Sequence, residues 1–135
     1  MIAEELALYL HAKGHGTEGI DLFLNFQPDI PDNCITVYDE SAPVLEESNA
    51  LSVDQFGVQV IVRNTVGTAA SDLIMSIHRD LAGFGGKPFV AGGSMVSALF
   101  IATPPTSIGI DDKGRAEWTA HYYARVESTG DSFRN

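Results

Sequence analysis

Between Val53 and Arg63 the chain alternates with a period of two. Phe56, Val58, Val60 and Val62 fall on one side, and Gln55, Gly57, Gln59, Ile61 and Arg63 on the other. This spacing predicts a strand with one face on a core. The pattern then changes to a helical one. Ala70, Leu73, Ile74, Ile77 and Leu81 form one apolar stripe, with Thr65 or Thr68 as the expected cap, His78 and Arg79 in the last turns, and Gly83 as the stop. A shorter helix is predicted from Ile2 to Lys13, with Glu4 and Glu5 in its first turn and Gly14 behind it.

The remaining elements are strands. Asp21 to Phe26 and Cys34 to Asp39 are two short ones, separated by the turn chemistry of Pro28, Asp29, Pro31, Asp32 and Asn33, and they are expected to pair as a hairpin. Met95 to Ala102 is a further strand, which Pro104 and Pro105 are expected to break or bend. Asp111 to Gly114 is a turn, and Arg115 to Val126 is the last strand, with Trp118, Ala120, Tyr122 and Ala124 on one side. Ser41 to Leu51 reads as a polar surface loop, and Gly83 to Gly93 as glycine-rich loop material. The order predicts an α+β fold: an antiparallel or mixed sheet of about four to five strands with two helices packed on one face. Residues 1–127 are read as a single domain and 128–135 as a flexible C-terminal tail.

Composition narrows the function. The chain has 135 residues, enough for one domain with a real core. Its net charge of -10 argues against a protein that grips nucleic acid through clustered Lys and Arg, or one that docks on an anionic membrane. The single cysteine, Cys34, lies in a strand pattern and reads as a small core hydrophobe; one cysteine fits a reducing compartment. The apolar N-terminal stretch carries Glu4 and Glu5 in place of a basic region, so it does not read as a signal peptide, and no apolar run approaches a membrane span.

No constellation points to catalysis, a cofactor or a metal. His11 and His15 have the spacing of two ligands on one helix face, but Gly14 stands between them and no third ligand is suggested. The glycines from Gly83 to Gly93 follow a helix, whereas a phosphate loop precedes one. Ser94 and Ser97 lack a nucleophile elbow, and the acid pairs Glu46-Glu47 and Asp111-Asp112 read as solvated loop charges. Trp118, Tyr122, Tyr123 and Phe56 lack the basic neighbours of a base-stacking platform, so they read as packing residues.

The stretch Pro105-Thr106-Ser107-Ile108-Gly109-Ile110-Asp111-Asp112-Lys113-Gly114-Arg115, leading into an alternating strand, resembles the phage minor capsid protein family. Phe23 to Asp29 with Pro31 to Ile35 resembles that family's early strand pair, and Val58 to Arg63 followed by Thr68 to Leu81 its central strand and helix. The resemblance spans roughly Ile2 to Val126, and the family is similar to the tail-terminator proteins of long-tailed phages. It implies a virion or prophage structural protein, assembled in the bacterial host cytoplasm, that forms a hexameric ring closing the tail tube and joining tail to head. Its implied partners are further copies of itself, the major tail-tube protein and a head-connector protein, with genome DNA passing through the ring and no sequence-specific nucleic-acid binding. A ring needs two different complementary patches on each subunit. Arg63, Arg79, Arg115 and Arg125 are expected to pair with acids of a neighbour, and the loops 41–51 and 83–93 to order on assembly. Two other readings stay open: a head-completion or stopper subunit of the connector, and a cytoplasmic α+β domain that binds a small ligand or is an enzyme.

Overall fold

The computed structural model describes residues 2–43 and 53–127. Most of the Ser41–Leu51 stretch and the whole 128–135 tail lie outside the described residues. Two helices and five strands follow the order α1 (Ile2–Ala12), β1 (Leu22–Leu24), β2 (Cys34–Glu40), β3 (Val53–Asn64), α2 (Gly67–Leu81), β4 (Val96–Ile110) and β5 (Ala116–Glu127). The strands form one mixed sheet in the order β1-β2-β3-β5-β4. Only the β1–β2 pair is parallel. The α+β architecture read from the sequence is the one observed.

Both helices lie on the same face of the sheet, α1 against β1 and β2, α2 against β3, β5 and β4. The apolar stripes dictate this. Ile2, Leu6 and Leu10 of α1 and Ala70, Ile74, Ile77 and Leu81 of α2 are buried, as are Ile35, Val37, Val58, Val60, Val62, Ala120, Tyr122 and Ala124 beneath them. Phe56, which shares the face of Val58, stays 45% exposed. The first helix ends at Ala12, and Gly14 takes a positive φ of 84° while its N–H donates to His11 O, which closes the helix end as glycine permits.

Several expectations are corrected. The first two strands are not a hairpin. They run parallel, with Leu22 opposite Ile35 and Leu24 opposite Val37, because residues 25–33 cross the helix-free face of the sheet before β2 begins. Neither Thr65 nor Thr68 caps α2. Its N-cap is Val66, with no side-chain cap bond, and the approach from β3 is fixed instead by two asparagines: Thr65 N–H donates to Asn33 Oδ1 and Val66 N–H to Asn64 Oδ1. The prolines do not break β4. The strand runs on to Ile110 with four register shifts against β5, two of them flanking Thr103, and an edge strand tolerates proline because its outward N–H groups need no partner. The 83–93 stretch is anchored rather than free. Phe84 and Phe89 are buried, their rings stack at 4.4 Å, and Tyr9 of α1 packs against both.

Candidate assembly surfaces

The helix-free face of the sheet carries Cys34, Thr36, Tyr38 and Glu40 from β2, Gly57 to Arg63 at every second position from β3, and Glu117 to Arg125 likewise from β5. Its two halves are built differently.

At one end, residues 25–33 cover it. Asn25, at a positive φ of 60°, sends its side chain along β2: its Oδ1 accepts from Asp39 N–H at 2.8 Å and its Nδ2 donates to the Asp39 carboxylate. Gln27 donates to Glu117 at 2.7 Å. Arg63, only 4% exposed, then gathers the loop's carbonyls, donating to Pro28 O and Pro31 O at 2.6 Å, Asp32 O at 3.0 Å and Asp29 O at 3.3 Å. A flat guanidinium with several fixed donors suits a ring of carbonyls, which an ammonium cannot meet together. The loop contains the cis peptide Ile30-Pro31. Beneath it Cys34 is buried, and burial pushes its thiol up from 9.0. Burial also raises the Tyr38 hydroxyl.

Arg115, 5% exposed, closes the same loop from the β4–β5 turn. It pairs with Asp111 at 2.8 Å, Asp29 at 3.1 Å and Asp32 at 3.3 Å, and donates to Asp29 O at 2.7 Å. Lys113 adds an exposed ion pair to Asp29. Burial works against the charge of Arg115, but Asp111 and Asp29 outweigh it and hold its pKa above the ordinary value. Asp29 is held below its ordinary 3.8 by hydrogen bonds from Lys113 and Arg115. Asp111 is held low first by the Arg115 N–H, then by the Arg115 guanidinium and the Lys113 N–H.

The other half of this face is open. His121 Nδ1 and Glu40 Oε1 are 2.8 Å apart, Gln59 donates to Thr119, and Arg125 lies over the Phe100 ring at 4.5 Å. A cavity of about 280 Å³ opens here, lined by Glu40, Ser41, Ala102, Thr103, His121 and Tyr123. Gly57 is required at the near end of β2, since a Cβ there would stand 2.8 Å from Ser41 O.

Of the four arginines expected at a subunit contact, Arg63 and Arg115 are turned inward and spend their donors on their own chain. Only Arg79, exposed on α2, and Arg125, half-buried beside Phe100, reach the surface. The two histidines with ligand-like spacing go separate ways: His11 accepts from Glu18 N–H at 3.0 Å, and His15 pairs with Asp80 of α2 at 2.5 Å. Missed in the sequence was the complementarity between the acidic Pro-Asp-Ile-Pro-Asp loop and the Asp-Asp-Lys-Gly-Arg turn, which the structure joins through Asp29, Asp32, Lys113 and Arg115.

The sequence from residue 9 to 128, from inside α1 to just past β5, matches the family described as bacteriophage tail terminator protein. The chain belongs to that family. This tail terminator is therefore a phage structural protein, a virion component with a part in completing the tail. No curated protein sequence matches it. Among solved structures it is similar to a chain from the virion of a native gene transfer agent particle, with 15% identity and a TM-score of 0.54 over 91% of this chain and 84% of that one. At that identity the likeness shows a shared fold.

Proposed function

We propose that copies of this tail terminator assemble into a hexameric ring that closes the end of the tail tube and offers its other side to the head connector, with residues 1–127 as the assembling unit. The family match across 9–128 carries this reading, because it spans the end of α1, all of α2 and every strand of the sheet rather than one motif. The charge of the chain supports it. With a net charge of -10 and two of its arginines buried in its own ion pairs and carbonyl contacts, the subunit gives phosphates little to hold, which suits a channel that DNA must traverse without sticking. Arg79 and Arg125 are the two of the four arginines at hand for acids of a neighbouring protein.

Electron microscopy of tubes grown from the cognate tail-tube protein, with and without this chain, tests the proposal. A ring at one end and arrested growth are expected. Unaltered tube ends, with the chain found instead on portal-bearing heads, would replace it with the head-completion reading.

A further inference from the structure

Charged residues are spread along most of the chain, yet none occurs between Lys87 and Asp111. That stretch supplies β4, an edge of the sheet. The start of β4 is covered from outside, where the Gly86 and Lys87 N–H groups donate to Val96 O and the Leu99 N–H donates to Phe84 O. Beyond Leu99 no described segment other than β5 bonds to the strand's backbone. There Phe100, Ile101, Ile108 and Ile110 are 41%, 46%, 52% and 73% exposed. Pro104 and Pro105 offer no N–H, and the register shifts interrupt the ladder, so indiscriminate strand addition is blocked in the middle of this edge. What the edge offers a partner is apolar side chain.

The opposite edge is different. The N–H and C=O of Leu22 are both engaged by the turn at 17–19, which closes that point of β1 to a further strand. Ile20 and Phe26 nevertheless stand 67% and 60% exposed there, with Phe26 leaning on Phe23.

Charge decides what fits the β4 edge. Two copies carrying -10 each repel wherever acidic surfaces meet, so their least costly contact includes a surface that brings no acid of its own; the charge that stands over Phe100, that of Arg125, is positive. A basic partner gains nothing at such a surface and is drawn to the acidic ones instead. We propose that the outer edge of β4, from Phe100 to Ile110, seats a second copy of this chain, which presents Ile20 and Phe26 from its opposite edge. Two unlike patches on opposite edges make a head-to-tail contact, which repeats from copy to copy and closes when the rotation allows. The inference rests on the ring reading above and names the contact within that ring.

A photoreactive phenylalanine analogue placed at Phe100, and in a second protein at Ile108, tests it on capped tails. Illumination followed by peptide mass spectrometry is expected to join these positions to the 17–27 segment of another copy. Cross-links to the tail-tube protein, to the neighbour's own β4, or to no second copy overturn the assignment while leaving the ring in place. Absence of rings with the unmodified chain is a separate failure, that of the ring reading itself. Ile108→Asp provides a second measure: capped ends should fall about tenfold, since an unpaired carboxylate buried at an apolar contact costs at least that. Thr68→Asp in the exposed first turn of α2 should cap normally, and equal loss in both variants would also overturn the assignment.

Discussion

The two faces of the sheet are closed by opposite means. On one, α1 and α2 lay apolar stripes over Val58, Val60, Val62 and Tyr122. On the other, the 25–33 loop has little apolar matter to bury: Phe26 and Ile30 point away, 60% and 80% exposed. Two guanidiniums hold it instead, Arg63 by carbonyls and Arg115 by carboxylates. The helix face is held by many small, non-directional contacts, each replaceable by a side chain of similar volume. The loop face is held by a few directional bonds that no other residue type reproduces. The first should accept substitutions that keep side-chain volume, and the second should not.

Substitutions on the two faces should separate these mechanisms. The largest loss is expected for Ile74→Ala on α2, about 4 kcal/mol in urea unfolding, because a fully buried side chain leaves a cavity. Ile74→Leu should recover most of it. Arg63→Met should cost about 3 kcal/mol by the same assay, since the loop's carbonyls lose a charged donor in a buried site. Arg63→Lys should recover little, because one ammonium cannot span Pro28, Pro31 and Asp32 together. Recovery by Lys as complete as by Leu at position 74 would erase the contrast.

A smaller effect should come from a polar pair between α2 and β5 on the helix face. Tyr122 is buried with its hydroxyl 2.7 Å from His78 Nδ1, and burial pushes that hydroxyl well above its ordinary range. Tyr122→Phe keeps the ring and loses one hydrogen bond, for about 1 kcal/mol. Acid should discriminate the faces without any mutation. Asp29 and Asp111 have folded pKa values below the ordinary 3.8, so their contribution is present above that pH and is lost as pH falls through the folded values. The melting temperature should therefore drop below about pH 4, and hydrogen exchange should quicken first at 25–33. Asp111→Asn should melt lower at neutral pH and show a flatter acid decline. Uniform quickening across both faces would contradict the separation.

The same contrast explains what could be read from the sequence. Val53 to Arg63, Gly67 to Leu81 and Arg115 to Val126 were legible because periodic burial leaves a periodic trace. The parallel β1–β2 pairing was not. Turn residues such as Pro28 and Asn33 announce a reversal, but the partner that decides its course, Arg63, lies 35 positions from Pro28 and looks in sequence like any solvent-facing residue of an alternating strand. Arg115 was misplaced for the same reason, as its contacts to Asp29 span 86 positions. Pro104 and Pro105 misled by propensity: the rule against proline in strands assumes neighbours on both sides, and β4 has one. The edge itself, with its gap in charge from Lys87 to Asp111, was present in the sequence but acquires meaning only once β4 is known to be outermost.

The position of β5 has a consequence for biosynthesis. It is the last described element to leave the ribosome, yet it sits inside the sheet, with β3 on one side and β4 on the other. Synthesis proceeds from the N-terminus, so both neighbours emerge before the strand that joins them. Until Ala116 to Glu127 arrives, the nascent chain displays two unsatisfied strand borders at once, one of them the uncharged β4. A transcript broken anywhere upstream of codon 116 would yield a product without its keystone, whose exposed borders make it a target for chaperones and proteases rather than a subunit of a tail.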